Sequence, residues 1–214
     1  MIAPAPSLAG RDIAAVVIGA SAGGVEALSE ILPALRSGAA AATMVVLHIP
    51  RERPSLLPQI FAAKCAQPVR EAQDKEPALA GVIYFAPPDY HLLVDGAPGE
   101  PILAMSNDEA VNFSRPAIDV LFESAADIYG ERLLGVLLTG GNQDGAAGLQ
   151  AIRRAGGVAV VQDPQEAQVP YMPEQALALG NIDYVLTLGQ IADLLRSLGT
   201  LGATGVQGER NAGE

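Results

Sequence analysis

Ile13 to Ile18 is an unbroken apolar run ending at Gly19, the pattern of a strand buried on both faces. Val25, Leu28, Leu32 and Leu35 follow at helical spacing, and Gly23-Gly24 allow a tight turn between the two elements. Gly38 closes the helix region, and Thr43 to Leu47 is a second apolar run, ended by His48 and Pro50. The three elements predict a βαβ unit with parallel strands. Pro54 to Ala66 reads as a helix. From Val69 to Met105 the pattern changes to short strand-like pieces, Val82–Phe85, His91–Val94 and Ile102–Met105, punctuated by Pro87-Pro88-Asp89 and Asp95-Gly96. Turn residues this close together predict an antiparallel ribbon beside the main sheet.

The parallel pattern then returns. Ile118, Leu121, Phe122, Ala125 and Ile128 form one helix face, and Leu133 to Leu138 is a third buried strand. Gly145 to Arg154 is a helix closed by Gly156-Gly157, and Val158 to Val161 another strand. Pro173–Leu179 and Ile191–Leu198 read as helices, with a short strand at Tyr184–Leu186 between them. The fold class is therefore α/β: a doubly wound, mostly parallel, Rossmann-like three-layer sheet with a small antiparallel β ribbon. We expect a flexible N-terminus over 1–11, one domain over 12–198, and a disordered Gly-rich tail over 199–214.

Composition sharpens this picture. Half of the 214 residues are hydrophobic but only 4% are aromatic, with no Trp, so the core must be built from Val, Leu, Ile and Ala. A net charge of -11 leaves no basic footprint for nucleic acid or an anionic membrane. No apolar stretch reaches membrane-spanning length, and the first ten residues lack the charged start of a secretion signal. A lone cysteine, Cys65, rules out an internal disulfide or a thiolate cluster and reads as a small buried or half-buried hydrophobe. A cytoplasmic protein with no metal and no cofactor is expected.

Open parallel sheets place their sites at the carboxyl ends of strands. The first strand ends at Gly19-Ala20-Ser21-Ala22-Gly23-Gly24, the second at His48, and the third at Thr139-Gly140-Gly141-Asn142-Gln143-Asp144-Gly145. A serine, a histidine and an aspartate thus share one sheet edge, the residue types of a nucleophile, base and orienting acid. Ser21 lies in Gly-x-Ser-x-Gly, whose small residues let a hydroxyl stand exposed on a sharp turn and let substrate approach the backbone. The following helix would direct free N–H groups at a developing oxyanion. Serine and aspartate are also ordinary helix caps, and Asp163, after the next strand, rivals Asp144. The glycine spacing does not fit a dinucleotide loop. His91 is assigned a structural or groove role, and Asp119 and Asp127 are read as solvated or packed at helix ends.

These motifs, in this order, resemble the catalytic domain of the chemotaxis protein-glutamate methylesterases, the CheB family. The resemblance runs from Ile13 to Leu198. It rests on Ile18-Gly19-Ala20-Ser21-Ala22-Gly23-Gly24, His48-Ile49-Pro50, the run from Tyr84 to His91, the run from Val111 to Phe122, Leu138-Thr139-Gly140, Asp144-Gly145-Ala146 and Met172-Pro173. It implies a serine esterase with Ser21 as nucleophile, His48 as base and Asp144 as orienting acid. Ala22, Gly23, Gly141, Asn142, Arg115 and Met172 would form the oxyanion and substrate pocket. The implied substrates are γ-methyl esters of glutamates on the cytoplasmic helices of methylated chemoreceptors, with glutamine deamidation by the same route.

Three positions depart from the family pattern. Gly141 stands where a methionine is usual, Ala22 where a threonine is usual, and Ser114 where a histidine commonly precedes Arg-Pro. Only about a dozen residues precede the first strand, too few for the receiver domain that typical members carry. If the chain is whole, a stand-alone effector is expected, constitutively open or controlled by a separate receiver or regulator protein; if it is a piece of a longer protein, its regulatory part lies outside it. Two other readings remain at this stage: a serine hydrolase of a different ester, and a non-catalytic signalling module using the same sheet edge.

Overall fold

The computed structural model describes Leu8 and residues 10–49, 55–97 and 99–199. The expected flexible terminus and tail fall mostly outside these residues. Leu8 itself packs into the core, ahead of the expected domain start at residue 12.

Among the described residues the main sheet has seven parallel strands: β1 (Ala15–Ala20), β2 (Ala42–Leu47), β3 (Val69–Glu71), β4 (Ile83–Phe85), β7 (Leu133–Leu137), β8 (Val158–Gln162) and β9 (Tyr184–Leu186). Their order is β3-β4-β2-β1-β7-β8-β9. Between β4 and β7 in the chain, β5 (His91–Ala97) and β6 (Glu100–Ser106) form the separate antiparallel ribbon. The helices are α1 (Gly24–Ile31), α2 (Leu57–Ala62), α3 (Ile118–Tyr129), α4 (Ala146–Arg154), α5 (Tyr171–Leu179) and α6 (Leu188–Arg196).

Because strand side chains alternate between faces, the apolar runs feed two cores. Val16, Ile18, Val45, Val136 and Val160 face α1, α2 and α6 through Leu28, Ile31, Phe61, Ile191 and Leu195. Val17, Met44, Val46, Leu137 and Val161 face α3, α4 and α5 through Ile118, Phe122, Leu149, Ile152 and Met172. The ribbon closes this second core with Leu92, Val94 and Leu103. A sheet covered on both faces has no place for polar alternation, which is why β1, β2, β7 and β8 read as continuous apolar runs. Cys65 packs half-buried against the first core, and burial pushes its thiol up.

Two expectations are corrected. The piece starting at Val82 belongs to the main sheet, where β4 pairs in parallel with both β2 and β3, so only β5 and β6 make the ribbon. The edge strand β3, Val-Arg-Glu, carries no apolar run and was not anticipated. The helix expected over Pro54–Ala66 is shorter, with Ile60 exposed at its surface.

The chain leaves β1 towards β2 and β4, then returns to lay β7 on the other side of β1. This reversal is the topological switch point, where crossovers diverge and open a crevice above the carboxyl ends of the strands. Ser21, His48 and the loop 138–145 emerge there. His48 N–H donates to Ala20 O (3.1 Å), Leu138 N–H to Gly19 O (2.9 Å) and Ser21 N–H to Thr139 O (2.9 Å), so the three strand ends are held level.

Candidate active site

The carboxylate is the centre of the site. Asp144 is fully buried, and its Oδ2 accepts from His48 Nε2 (2.9 Å) and Ile118 N–H (2.6 Å). Its Oδ1 accepts from Asp119 N–H (3.0 Å) and, more weakly, from Asn112 Nδ2 (3.4 Å). Burial alone would raise its pKa. The hydrogen bonds from His48 and from the backbone N–H groups of Asp119 and Ile118 outweigh burial and hold the carboxyl below the usual range. An ionised Asp144 therefore fixes the proton of His48 on Nε2 and leaves Nδ1 as an acceptor facing the crevice. Asp163, the rival at the sequence level, instead accepts from Gln165 N–H (2.9 Å) within its own turn.

Asp119 was expected at most to pack at a helix end, but it forms the other half of a reciprocal arrangement. Its Oδ1 accepts from Gly145 N–H (2.9 Å) and Gly148 N–H (2.7 Å), at the start of α4, while Asp144 accepts from the start of α3. Neither helix has a side-chain cap on its own N-cap residue. Each is capped by the acid of the other, so the orphan N–H groups at both N-termini are satisfied and α3 is locked to the loop carrying Asp144. Asn112 Nδ2 also donates to Asp119 Oδ2 (2.9 Å). Gly145 must head α4 with φ 94°, a conformation that a residue with a Cβ adopts only at a cost.

Burial, with the nearby Asp144 charge adding to it against the hydrogen bonds from Gly148 and Gly145, pushes Asp119 from 3.8 up to about 6. The folded protein thus binds this proton more tightly than the unfolded chain. The advantage is present below about pH 4 and is lost as pH rises through about 6, about 3 kcal/mol in all. We expect the urea-unfolding free energy of the wild type, minus that of Asp119→Asn, to fall by this amount between pH 4 and pH 7. A pH-independent difference would contradict the assignment.

Ser21 stands at the end of β1, directly beside the strand that carries His48. Its hydroxyl makes no hydrogen bond among the described residues, and the side chain is half-buried. The turn is pinned from below. Thr139 Oγ1 donates to Ala22 O (2.9 Å) and accepts from Val169 N–H (2.9 Å), while Thr139 N–H donates to the buried Gln162 (2.9 Å). Glycine at position 140 lets the loop pass close to its neighbours, since a Cβ there would lie 2.6 Å from Met172 Sδ and 3.0 Å from Ser21 Cβ. The backbone N–H groups of Ala22 and Gly141 have no acceptor among the described residues, and both residues are exposed to the crevice.

The other expected pocket residues take distinct places. Gly23 heads α1 with φ 80° and abuts the Gln168 side chain. Met172 is fully buried behind Gly140 and backs the loop. Arg115 is engaged by Asp89, in a 2.6 Å ion pair, and by the carbonyl oxygens of Asn107 and Asp108, so it clamps the loop after the ribbon. Asn142 donates to Ser114 Oγ (3.2 Å), which lies 3.4 Å from His48 Nδ1. Ser114, where this chain leaves the family pattern, and Asn142 therefore touch one another next to His48. His91 is buried and structural: its Nδ1 accepts from Ala117 N–H (3.1 Å) and its Nε2 donates to Glu109 O (3.1 Å). Among the described residues no group of three or more His, Cys, Asp or Glu side chains could hold a metal ion.

Asn112 and Phe113 were not anticipated. Val111 N–H donates to Ser114 O (3.1 Å) and Ser114 N–H to Val111 O (2.8 Å), closing a two-residue turn with φ 49° at Asn112 and φ 62° at Phe113. Positive φ at both central residues is the type I′ pattern, in which glycine normally takes the second place. Asn112 tolerates it, whereas Phe113 carries a cost on the order of 1 kcal/mol.

A doubly wound parallel sheet that holds a histidine paired with a buried carboxylate beside a serine turn at its switch point defines an α/β protein with a hydrolase-type site. Residues 16–195 match the family model described as CheB methylesterase, and the chain belongs to that family. It is 44% identical over 180 residues to a Leptospira interrogans protein provisionally named protein-glutamate methylesterase/protein-glutamine glutaminase, covering 84% of this chain and 92% of that protein. A Bordetella parapertussis protein carrying the same name outright is 40% identical over 189 residues, 87% of this chain but 54% of that protein. The chain thus spans nearly all of the first relative and about half the length of the second. The crystal structure of the Thermotoga maritima CheB methylesterase catalytic domain superposes with a TM-score of 0.83 at 32% identity, covering 86% of this chain and 97% of that one.

Proposed function

We propose that the chain hydrolyses γ-methyl esters of glutamate side chains on methylated chemoreceptors, and deamidates glutamines there by the same route, through Ser21, His48 and Asp144. The observation that carries this reading is the pairing of His48 with the buried Asp144 at the switch point, one strand from the Ser21 turn. Ser21 Oγ attacks the ester carbonyl while its proton passes to His48 Nδ1, the ring nitrogen that Asp144 leaves free. The developing oxyanion takes hydrogen bonds from the unpaired N–H groups of Ala22 and Gly141. Collapse of the tetrahedral intermediate expels methanol, protonated by His48. Water activated by the same nitrogen then cleaves the glutamyl-enzyme, freeing glutamate and Ser21. Asp144 stays ionised throughout and stabilises the imidazolium.

Among the described residues no helix is long and apolar enough to cross a membrane. Action in the cytoplasm, on receptor segments presented there, is part of the proposal. The test is methanol release from methylated receptor compared with a panel of small methyl esters. Release from receptor supports the reading, whereas turnover of small esters with inert receptor would assign another ester substrate.

A specific observation favours a second reading of the nucleophile. The hydroxyl 3.4 Å from His48 Nδ1 belongs to Ser114, and that of Ser21 is unpaired among the described residues. The Ser114 hydroxyl is held by Asn142, and the first N–H groups of the α3 N-terminus that follows it are taken up by Asp144, so Ser21 fits the chemistry better.

A further inference from the structure

The turn at 111–114 presents Phe113 in an unusual way. The side chain is fully exposed, so its ring buries nothing within the described protein. The backbone is held in a left-handed conformation that glycine would adopt freely. The residue thus bears two costs, strain and an exposed aromatic surface, without an internal return.

Its neighbours say where it stands. Asn112 is hydrogen-bonded to Asp119 and Asp144, and Ser114 faces His48 Nδ1. Phe113 is therefore one residue from each of two contacts with the His–Asp pair, while its own ring points away into solvent at the mouth of the crevice. Val111, at the base of the same turn, is also partly exposed and extends the apolar surface.

We propose that Phe113 is a docking residue for the substrate polypeptide, seating an apolar side chain that lies near the ester-bearing glutamate. This rests on the proposed methylesterase reading and adds to it how a protein substrate is told from a small ester. Charge offers this chain little means of recruitment. A net charge of -11 disfavours approach of an acidic segment to the chain as a whole, which leaves apolar contact as the better-suited attraction. A rigid turn tied to the catalytic acid is suited to this, because the docked side chain and the ester are then held in one register.

The test measures binding of methylated receptor to the chain in a Ser21→Ala background, so that binding is read without turnover. Phe113→Gly and Phe113→Asn both fit the positive φ and keep the turn, so loss of fold in either leaves the other informative. Both are expected to raise Kd by about tenfold, as removal of a buried aromatic contact should, with Phe113→Trp retaining affinity. In the active enzyme the same variants should raise KM for receptor and lower the ratio of receptor to small-ester kcat/KM by a similar factor. An unchanged Kd in both variants, or a fall in kcat at unchanged KM, overturns the docking role. A parent chain with Phe113 intact that neither binds methylated receptor nor releases methanol from it overturns the methylesterase reading itself, and the docking role with it.

Discussion

Replacing Ser21 by alanine is expected to slow methanol release from methylated receptor by about 10⁴-fold or more, with the fold unaltered. On the proposed mechanism the loss is large because the hydroxyl oxygen makes the covalent bond. Without it, His48 can act only on water, and the residual rate comes from the free N–H groups of Ala22 and Gly141 and from binding. The fold is spared because the Ser21 hydroxyl makes no hydrogen bond among the described residues, while the turn is held by its backbone and by Thr139. Initial rates with methyl-labelled receptor, alongside thermal midpoints, check both halves. A loss smaller than about tenfold would remove Ser21 from the covalent step.

The second large effect is expected from Asp144→Asn, about 10³- to 10⁴-fold in kcat. An asparagine carries one oxygen where the aspartate uses two. With its oxygen in the Oδ1 place it accepts from Asp119 N–H, but its NH₂ then faces Ile118 N–H and His48 Nε2 and drives the ring proton to Nδ1, where the proposed base must be vacant. If the amide turns the other way, its oxygen serves His48 and Ile118, but its NH₂ meets the Asp119 N–H and Asn112 Nδ2. The first orientation loses the correct tautomer and each loses part of the helix cap, so activity and stability fall together, the latter by about 2 kcal/mol. Steady-state rates and urea midpoints on one preparation test this. Retention of both would mean that Asp144 neither orients the histidine nor caps α3.

Much of this architecture was legible in the chain because burial on both faces leaves a simple trace. β1, β2, β7 and β8 are continuous apolar runs, each followed at once by small or polar residues, and the rule that sites gather at strand ends then selects Ser21, His48 and Asp144. The errors have equally specific causes. Ile83–Phe85 is too short to reveal whether its neighbours run parallel or antiparallel, and its flanking turn residues suggested the ribbon. β3 contributes only backbone hydrogen bonds at an edge, so its side chains carry no pattern.

Within the site, Asp144 and Asp163 both follow buried strands, and only the fold shows which one reaches His48. The reciprocal capping by Asp119 and Asp144 joins residues 25 or more positions apart, beyond any local motif. A trace of Asp119 was nonetheless present. It stands three residues before Phe122 and seven before Ala126, on the stripe that α3 buries. Phe113 left no such trace, since an aromatic residue is a poor indicator of a turn that prefers glycine.

The assignment of Ser21, served by His48 Nδ1 and oriented by Asp144, is tested most directly by labelling the intact chain with a serine-directed fluorophosphonate and mapping the adduct by peptide mass spectrometry. One adduct per chain on Ser21, abolished by His48→Ala, is the predicted result. An adduct on Ser114, or labelling that persists without His48, would contradict it.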